Sequence, residues 1–119
     1  MDFQFGKVYT AAYSNDKGES TLVAVKLLRV NCSNTDREEF LSESELMLLL
    51  DHPSIVKVIG VCFSRKPWLL VTELMMHKDL GVLLQLCKKQ KFKLRIHEML
   101  GFAAQISEAM TFVASVCHK

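Results

Sequence analysis

The sequence lacks a strong net charge, a secretion signal and a long apolar run. Fifteen Lys and Arg residues against thirteen Asp and Glu give a formal charge of +2, too little to indicate nucleic acid or an acidic membrane surface as a partner. The N-terminus has no apolar segment typical of a signal peptide, and no window approaches the roughly 20 apolar residues of a membrane span. We therefore expect no nucleic-acid partner and no membrane segment in this chain, although the chain could be part of a protein anchored elsewhere.

Paired cysteine motifs are also absent. Cys32, Cys62, Cys87 and Cys117 form no Cys-x-x-Cys pair, and no two histidines have the spacing of zinc ligands. This pattern predicts reduced, buried thiols in a cytosolic protein and no metal site.

Half of the residues are hydrophobic, which suits one small domain with a sizeable core. Residue patterns predict strands and helices in the order β-β-α-β-β-α-α and hence an α+β fold. The strands are expected at 7–13, 21–30, 55–63 and 68–74, with a turn at 14–20, and the helices at 35–50, 78–89 and 96–116. Thr35 and Glu38 fit a capping box at the start of the first helix, and Phe40, Met47 and Leu50 form its apolar stripe. A change of character near residue 75 predicts a sheet-based unit followed by a helical one.

Lys26 lies within the apolar strand "VAVKLL", and lysine is seldom fully buried without a partner. Alternation along the strand places Leu22, Ala24, Lys26 and Leu28 on one face. Helical spacing places Glu43 on the apolar stripe of the following helix. Since isolated buried charges cost several kcal/mol each, we predict that Lys26 and Glu43 form an ion pair. The alternative is that each side chain reaches solvent separately at the edge of the sheet.

Small and apolar residues accompany Lys26. Ala24 shares its face, and Val8 of the preceding strand could cover the space that the small alanine leaves. A flat apolar slot beside an ammonium group suits a nucleotide, with the base in the slot and the phosphates at the lysine.

These segments together resemble the small lobe, hinge and first large-lobe helices of a protein kinase, most like a tyrosine kinase. "FGKVY" resembles the end of the glycine-rich loop, and "VAVK" resembles the third-strand lysine motif. "EEFLSESELMLLLDHPSIVKVIGVC" resembles the C-helix and fourth strand, "LLVTELMMHKDL" the fifth strand and hinge, and "FAAQISEAMTFV" the long E-helix. The resemblance divides the chain into a small lobe with hinge, 1–75, and the start of a large lobe, 76–119.

The resemblance implies a role for each matching position. Lys26 would contact the α- and β-phosphates of ATP and pair with Glu43. Gly6 would be the last glycine of the phosphate-covering loop, and Val8 and Ala24 would enclose adenine. Thr72 would be the gatekeeper, Glu73 and Met75 would offer backbone hydrogen bonds to adenine, and Asp79 would lie near the ribose. Met47 and Val58 would pack behind the C-helix.

Several family features are not found in this sequence. The first two glycines of the loop would fall at Met1 and Phe3, the first strand is expected to be missing, and no His-Arg-Asp or Asp-Phe-Gly motif is present. The resemblance therefore implies the ATP-binding part of a protein tyrosine kinase that is inactive by itself, with the Mg²⁺ ligands outside this chain. The alternatives are a non-catalytic regulatory or interaction domain and a tyrosine-kinase-like Ser/Thr kinase. ATP, and a protein substrate in the parent protein, are the implied partners, and the implied location is cytoplasmic, including the cytoplasmic part of a membrane receptor.

Overall fold

The computed structural model describes residues 2–3, 6–76 and 79–117. The chain forms two compact units. The first comprises Met1–Asp51 and Val56–Leu74, and the second comprises His52–Ile55 and Met75–Lys119.

The first unit contains a five-stranded antiparallel sheet in the order β1-β2-β3-β5-β4. The four strands predicted from the sequence are present, and the α+β fold class is confirmed. A two-residue strand, β1, precedes them and pairs with Lys7 and Gly6, which the sequence patterns did not predict. The strands are β1 Asp2–Phe3, β2 Gly6–Ser14, β3 Ser20–Leu28, β4 Val58–Cys62 and β5 Leu69–Glu73.

The turn between β2 and β3 is stabilised by Asn15. Its side-chain oxygen accepts the backbone N–H groups of Lys17 and Glu19 at 3.0 and 2.9 Å. Gly18 has a φ of +79°, a conformation that glycine adopts without steric cost. This turn sets a continuous register that pairs β2 with β3 from Gly6–Leu28 to Ser14–Ser20.

Helix α1 spans Asn34–Leu49 and begins one residue earlier than predicted. Its capping box is formed by Ser33 and Asp36, so the prediction of a Thr35–Glu38 box is wrong. The Ser33 hydroxyl accepts the Asp36 N–H at 3.1 Å, and the Asp36 carboxylate accepts the Ser33 N–H at 3.4 Å. Ser33–Asp36 and Thr35–Glu38 both have the spacing of a capping box, and the box forms with the pair at the first turn of the helix.

The core of the first unit lies between α1 and the sheet. Leu28, Phe40 and Leu70 are buried, and five half-buried side chains pack against them: Cys32, Met47, Val58, Phe63 and Trp68. Phe40 and Phe63 meet edge to face, with ring centroids 6.2 Å apart. The packing of Met47 and Val58 against this core agrees with the positions expected for them behind α1.

The second unit contains helices α2, Leu80–Lys89, and α3, Ile96–Cys117. Helix α2 ends in a Schellman motif: the Phe92 N–H donates to the Cys87 carbonyl at 2.8 Å, and the Lys91 N–H donates to the Lys88 carbonyl at 3.2 Å. His52 lies beside Phe112 of α3, with ring centroids 5.1 Å apart. Residue 78, where the sequence predicted α2 to begin, lies outside the described residues, as do Met1 and Phe5.

Two expectations from composition need correction. By length and composition alone, α3 is long and apolar enough to cross a membrane, so the expectation that no segment approaches such a span is wrong. One such helix is a weak indication, because a core helix of a soluble protein passes the same test. The four cysteines are free, but three are half-buried and Cys117 is exposed, so the predicted full burial is also wrong.

Candidate functional site

The register of the sheet brings four of the predicted site residues onto one face. Val8 pairs with Lys26, and Ala24 pairs with Thr72. Directly paired residues point to the same face, and residues two apart along a strand share it. Val8, Ala24, Lys26 and Thr72 therefore surround one patch of the sheet, as the nucleotide slot predicted from the sequence requires.

Lys26 and Glu43 are in contact. The Lys26 Nζ lies 3.5 Å from the Glu43 Oε1, so the contact predicted from strand and helix spacing is present. The side chains are 29% and 48% exposed, however, and the expectation of two buried charges is wrong. A pair this exposed contributes about 0.2–1 kcal/mol to folding. The contact does little for stability, but it leaves the ammonium group within reach of solvent and of a solute.

Gly6 is buried where β2 passes β3. A β-carbon at this position would collide with the Leu27 carbonyl oxygen and would lie 3.3 Å from the Arg29 nitrogen. The close approach of two backbones therefore requires glycine here, independently of any phosphate. Its role as the last glycine of a phosphate-covering loop stays a prediction.

Thr72 and Glu73 form the end of β5, where three hydrogen bonds converge. The Glu73 N–H donates to the Lys57 carbonyl at 3.0 Å, and the Glu73 carboxylate accepts the Lys57 N–H at 2.9 Å. The residue Thr72 is 5% exposed, and its hydroxyl donates to the Glu73 carbonyl at 3.3 Å. Both the peptide and the side chain of Glu73 are thus held before the chain leaves the sheet.

The Glu73 carboxylate is a feature that the sequence analysis missed. The resemblance assigned Glu73 a role through its backbone alone, so its side chain received little weight. The carboxylate reaches Lys57 next to an irregularity in the β4–β5 pairing, between Val58 and Gly60. Sequence spacing gives no signal for such a shift in register.

Met75 and Asp79 belong to the second unit. Met75 is exposed, with 42% of its surface accessible. Asp79 is the N-cap of α2, where its Oδ1 accepts the Val82 N–H at 2.8 Å. This bond satisfies one of the unpaired N–H groups of the helix start. The predicted contacts of Met75 with adenine and of Asp79 with ribose stay predictions.

Among the described residues, no group of three or more His, Cys, Asp or Glu side chains is arranged to hold a metal ion. The described side chains thus offer an ammonium group and an apolar patch, which suit an anionic ligand with an apolar part. They offer no ready-made cage for a divalent cation.

Comparison with known proteins places these features in a family. Residues 2–118 match the family model described as protein tyrosine and serine/threonine kinase. The chain is 35% identical over 116 residues to the tyrosine-protein kinase transforming protein ros of UR2 avian sarcoma virus. It is equally similar to the proto-oncogene tyrosine-protein kinase ROS of Gallus gallus. It is 34% identical over 110 residues to the tyrosine-protein kinase transforming protein Abl of Abelson murine leukemia virus.

Each of these alignments covers 92% of the chain but only part of the relative: 29% of the viral ros protein, 5% of the chicken ROS protein and 14% of the viral Abl protein. The chain thus spans less than a third of the length of the relatives that it matches. The match to the family model nevertheless runs through both units, from β1 to the end of α3. This chain belongs to the protein tyrosine and serine/threonine kinase family, and tyrosine kinases are among its relatives.

Proposed function

We propose that this chain is the ATP-binding portion of a protein tyrosine kinase, an enzyme class that transfers the γ-phosphoryl group of ATP to tyrosine hydroxyls. The observation that carries the proposal is the Lys26–Glu43 ion pair beside the patch of Val8, Ala24 and Thr72. The three relatives described above are named as tyrosine-protein kinases, which supports tyrosine over serine or threonine as the acceptor.

Lys26 would hold the phosphates. Its ammonium group is partly exposed, so it can form charge-assisted hydrogen bonds to phosphate oxygens while remaining beside Glu43. Glu43 would orient Lys26 and keep its flexible side chain near the phosphates. The pair would thus serve to position a ligand, which fits its small contribution to stability.

The base would lie against the apolar patch. Val8 and Ala24 offer apolar surface, and the small alanine leaves room for a flat ring. Beside this patch, Thr72 and Lys57 hold the peptide of Glu73, whose carbonyl has a second lone pair available for an exocyclic amine. Adenine would therefore meet a prearranged acceptor.

Mg²⁺ accompanies ATP in kinases, where it would supply positive charge to offset that of the phosphates. Its protein ligands would be an Asp-Phe-Gly aspartate and a catalytic-loop asparagine, and the sequence contains neither motif. No catalytic base from a His-Arg-Asp motif is present either. We expect the chain by itself to bind ATP weakly and to transfer no phosphate.

The absence of these motifs from the sequence also favours a second candidate, a non-catalytic regulatory or interaction domain. A radiolabelled ATP assay measures whether the chain transfers phosphate, with Lys26→Met as the control. No transfer above this control is expected, and transfer above it would overturn the proposed inactivity.

An ATP titration followed by ¹H–¹⁵N NMR tests the binding proposal. We expect saturable shifts concentrated at Val8, Ala24, Lys26 and Thr72, and their loss in Lys26→Met. Adenosine should give smaller shifts than ATP, because it lacks the phosphates that Lys26 would hold. Shifts spread over both units, or unchanged by the substitution, would contradict ATP binding at this face.

A cytoplasmic location, including the cytoplasmic part of a receptor, is consistent with the four free thiols.

A further inference from the structure

Two adjoining cavities lie where β3 leaves the sheet, within the first unit. One has a volume of about 200 Å³ and the other of about 10 Å³, and they share Leu28, Arg29, Val30 and Pro67 as lining residues. We call them together the basic hollow. Four of its lining residues are basic, contributed by β2, the end of β3, helix α1 and the β4–β5 turn: Lys7, Arg29, Arg37 and Lys66.

Among the described residues that line the two cavities, none is acidic. The whole chain has thirteen acidic residues against fifteen basic ones, so composition alone would place acids and bases there in similar numbers. Two acids lie nearby: Asp2 pairs with Lys7 between β1 and β2, and the Asp36 carboxylate accepts the Ser33 N–H in the cap of α1. The lining of the basic hollow therefore favours an anionic partner.

The remaining lining is apolar. Tyr9 is 48% exposed and Val30 is 58% exposed, and Pro67 and Trp68 complete the hollow on the side of the β4–β5 turn. Arg37 is held at its edge, because its Nη2 donates to the Val30 carbonyl at 3.4 Å. A positioned guanidinium group beside apolar surface is well suited to a carboxylate attached to an apolar group.

Part of the hollow lies on the sheet face opposite the candidate ATP site. Lys7 pairs with Leu27 and Tyr9 pairs with Val25, whereas Val8 pairs with Lys26. Because side chains alternate between faces, Lys7, Tyr9 and Leu27 point away from the Lys26 face. Leu28, which lines both cavities, shares the face of Lys26, so the hollow is not confined to one face.

We propose that the basic hollow is a docking surface for an acidic peptide segment that carries one large apolar side chain. The apolar side chain would enter the cavity of about 200 Å³, and the flanking carboxylates would contact the basic residues around it. The basic lining suits the carboxylates of the peptide, and the open depression gives its apolar side chain a surface to pack against. This proposal does not depend on ATP binding.

The only tryptophan of the chain, Trp68, lines the hollow and reports binding directly. The probe is a capped peptide in which one phenylalanine is flanked by two glutamates on each side. We expect a saturable change in Trp68 fluorescence that weakens as salt is raised. Two comparison peptides, with glutamines for the glutamates or with alanine for the phenylalanine, should each bind several-fold more weakly.

Matched variants locate the site. Lys7→Gln with Lys66→Gln removes two exposed charges from the hollow, and Lys88→Gln with Lys89→Gln removes two exposed charges from α2. The first pair should weaken peptide binding about three- to tenfold, given the usual strength of exposed ion pairs. The second pair should leave peptide binding unchanged. Val30→Ser, which alters only the apolar lining, should also weaken it.

Three results would overturn the proposal: no saturable fluorescence change, equal weakening by both lysine pairs, or equal binding of the glutamate and glutamine peptides. Vesicles of phosphatidylcholine with and without phosphatidylserine form a further arm. If Trp68 responds to the anionic vesicles and not to the acidic peptide, the surface contacts membranes and the peptide proposal is wrong.

Discussion

At the residue scale, Gly6 and Lys26 differ in the reason for their residue type. Gly6 is needed because a β-carbon would collide with the Leu27 carbonyl oxygen. Lys26 has no comparable structural reason, since its ion pair with Glu43 is substantially exposed and adds little stability. The proposed ATP site would give the charge at position 26 a role that this ion pair does not.

Gly6→Ala should destabilise the protein by about 1–3 kcal/mol, because the added methyl group forces β2 away from β3. Gly60→Ala is the matched control, since no atom lies within 4 Å of a β-carbon placed there. Urea unfolding of both variants measures the difference. Equal midpoints for Gly6→Ala and the unsubstituted protein would show that the two strands separate without cost.

Glu73→Ala should weaken the attachment of β5 to Lys57 by about 0.5–1.5 kcal/mol, the usual net value of one hydrogen bond. Glu73→Gln should restore most of this loss, because its amide oxygen can still accept the Lys57 N–H. Hydrogen exchange of the Lys57 amide is the readout. If the Lys57 amide exchanges as slowly in Glu73→Ala as in the unsubstituted protein, the carboxylate does not hold this amide as its distance of 2.9 Å indicates.

At the element scale, helix termini are where sequence patterns are least decisive. Both Ser33–Asp36 and Thr35–Glu38 have the spacing of a capping box, and only the path of the chain selects the first. The end of α2 is similar: Lys91 has a φ of 57° in a motif that usually contains glycine. No residue pattern predicts that this lysine will adopt a positive φ.

Ser33→Ala should lower stability by about 1 kcal/mol, because the Asp36 N–H loses its acceptor. Thr35→Ala lies inside the helix and should change stability by less than about 0.5 kcal/mol. Thermal or urea unfolding distinguishes the two. A larger loss from the threonine substitution would restore the Thr35–Glu38 box.

Lys91→Gly should raise stability by about 0.5–1 kcal/mol, since glycine adopts a positive φ without the clash that a β-carbon causes. Lys91→Ala is the control, because it removes the same charge and keeps the β-carbon. Equal unfolding midpoints for the glycine and alanine variants would indicate that the backbone at residue 91 is not strained.

At the scale of the whole molecule, the order of strands and helices along the chain and the face that carries Lys26 followed from alternation, helical spacing and family resemblance. The degree of burial did not. The apolar neighbours of Lys26 and Glu43 in the sequence predict buried charges, but burial depends on what covers a face, and residue patterns do not define that. The Glu73 carboxylate and the basic hollow were missed for a related reason: each depends on where separate segments converge.

Helix α3 should make the chain prone to self-association, because several large apolar side chains are exposed along it: Ile96, Met99, Leu100, Ile106 and Met110. Sedimentation velocity at increasing concentration measures this. Ile106→Gln with Met110→Gln should reduce association, while Leu22→Gln, at an exposed apolar residue of β3, should not. A chain that stays monomeric throughout would contradict the expectation.

The central claim, that the Lys26 ammonium group holds the phosphates of ATP, is tested most directly by the NMR signal of the Lys26 side chain. Lysine labelled with ¹³C at Cε reports each ammonium group, and Lys26→Arg assigns the relevant signal. We predict that ATP shifts this signal saturably, that adenosine does not, and that Glu43→Gln weakens the response. An unmoved Lys26 signal, with shifts confined to other lysines, would contradict the account.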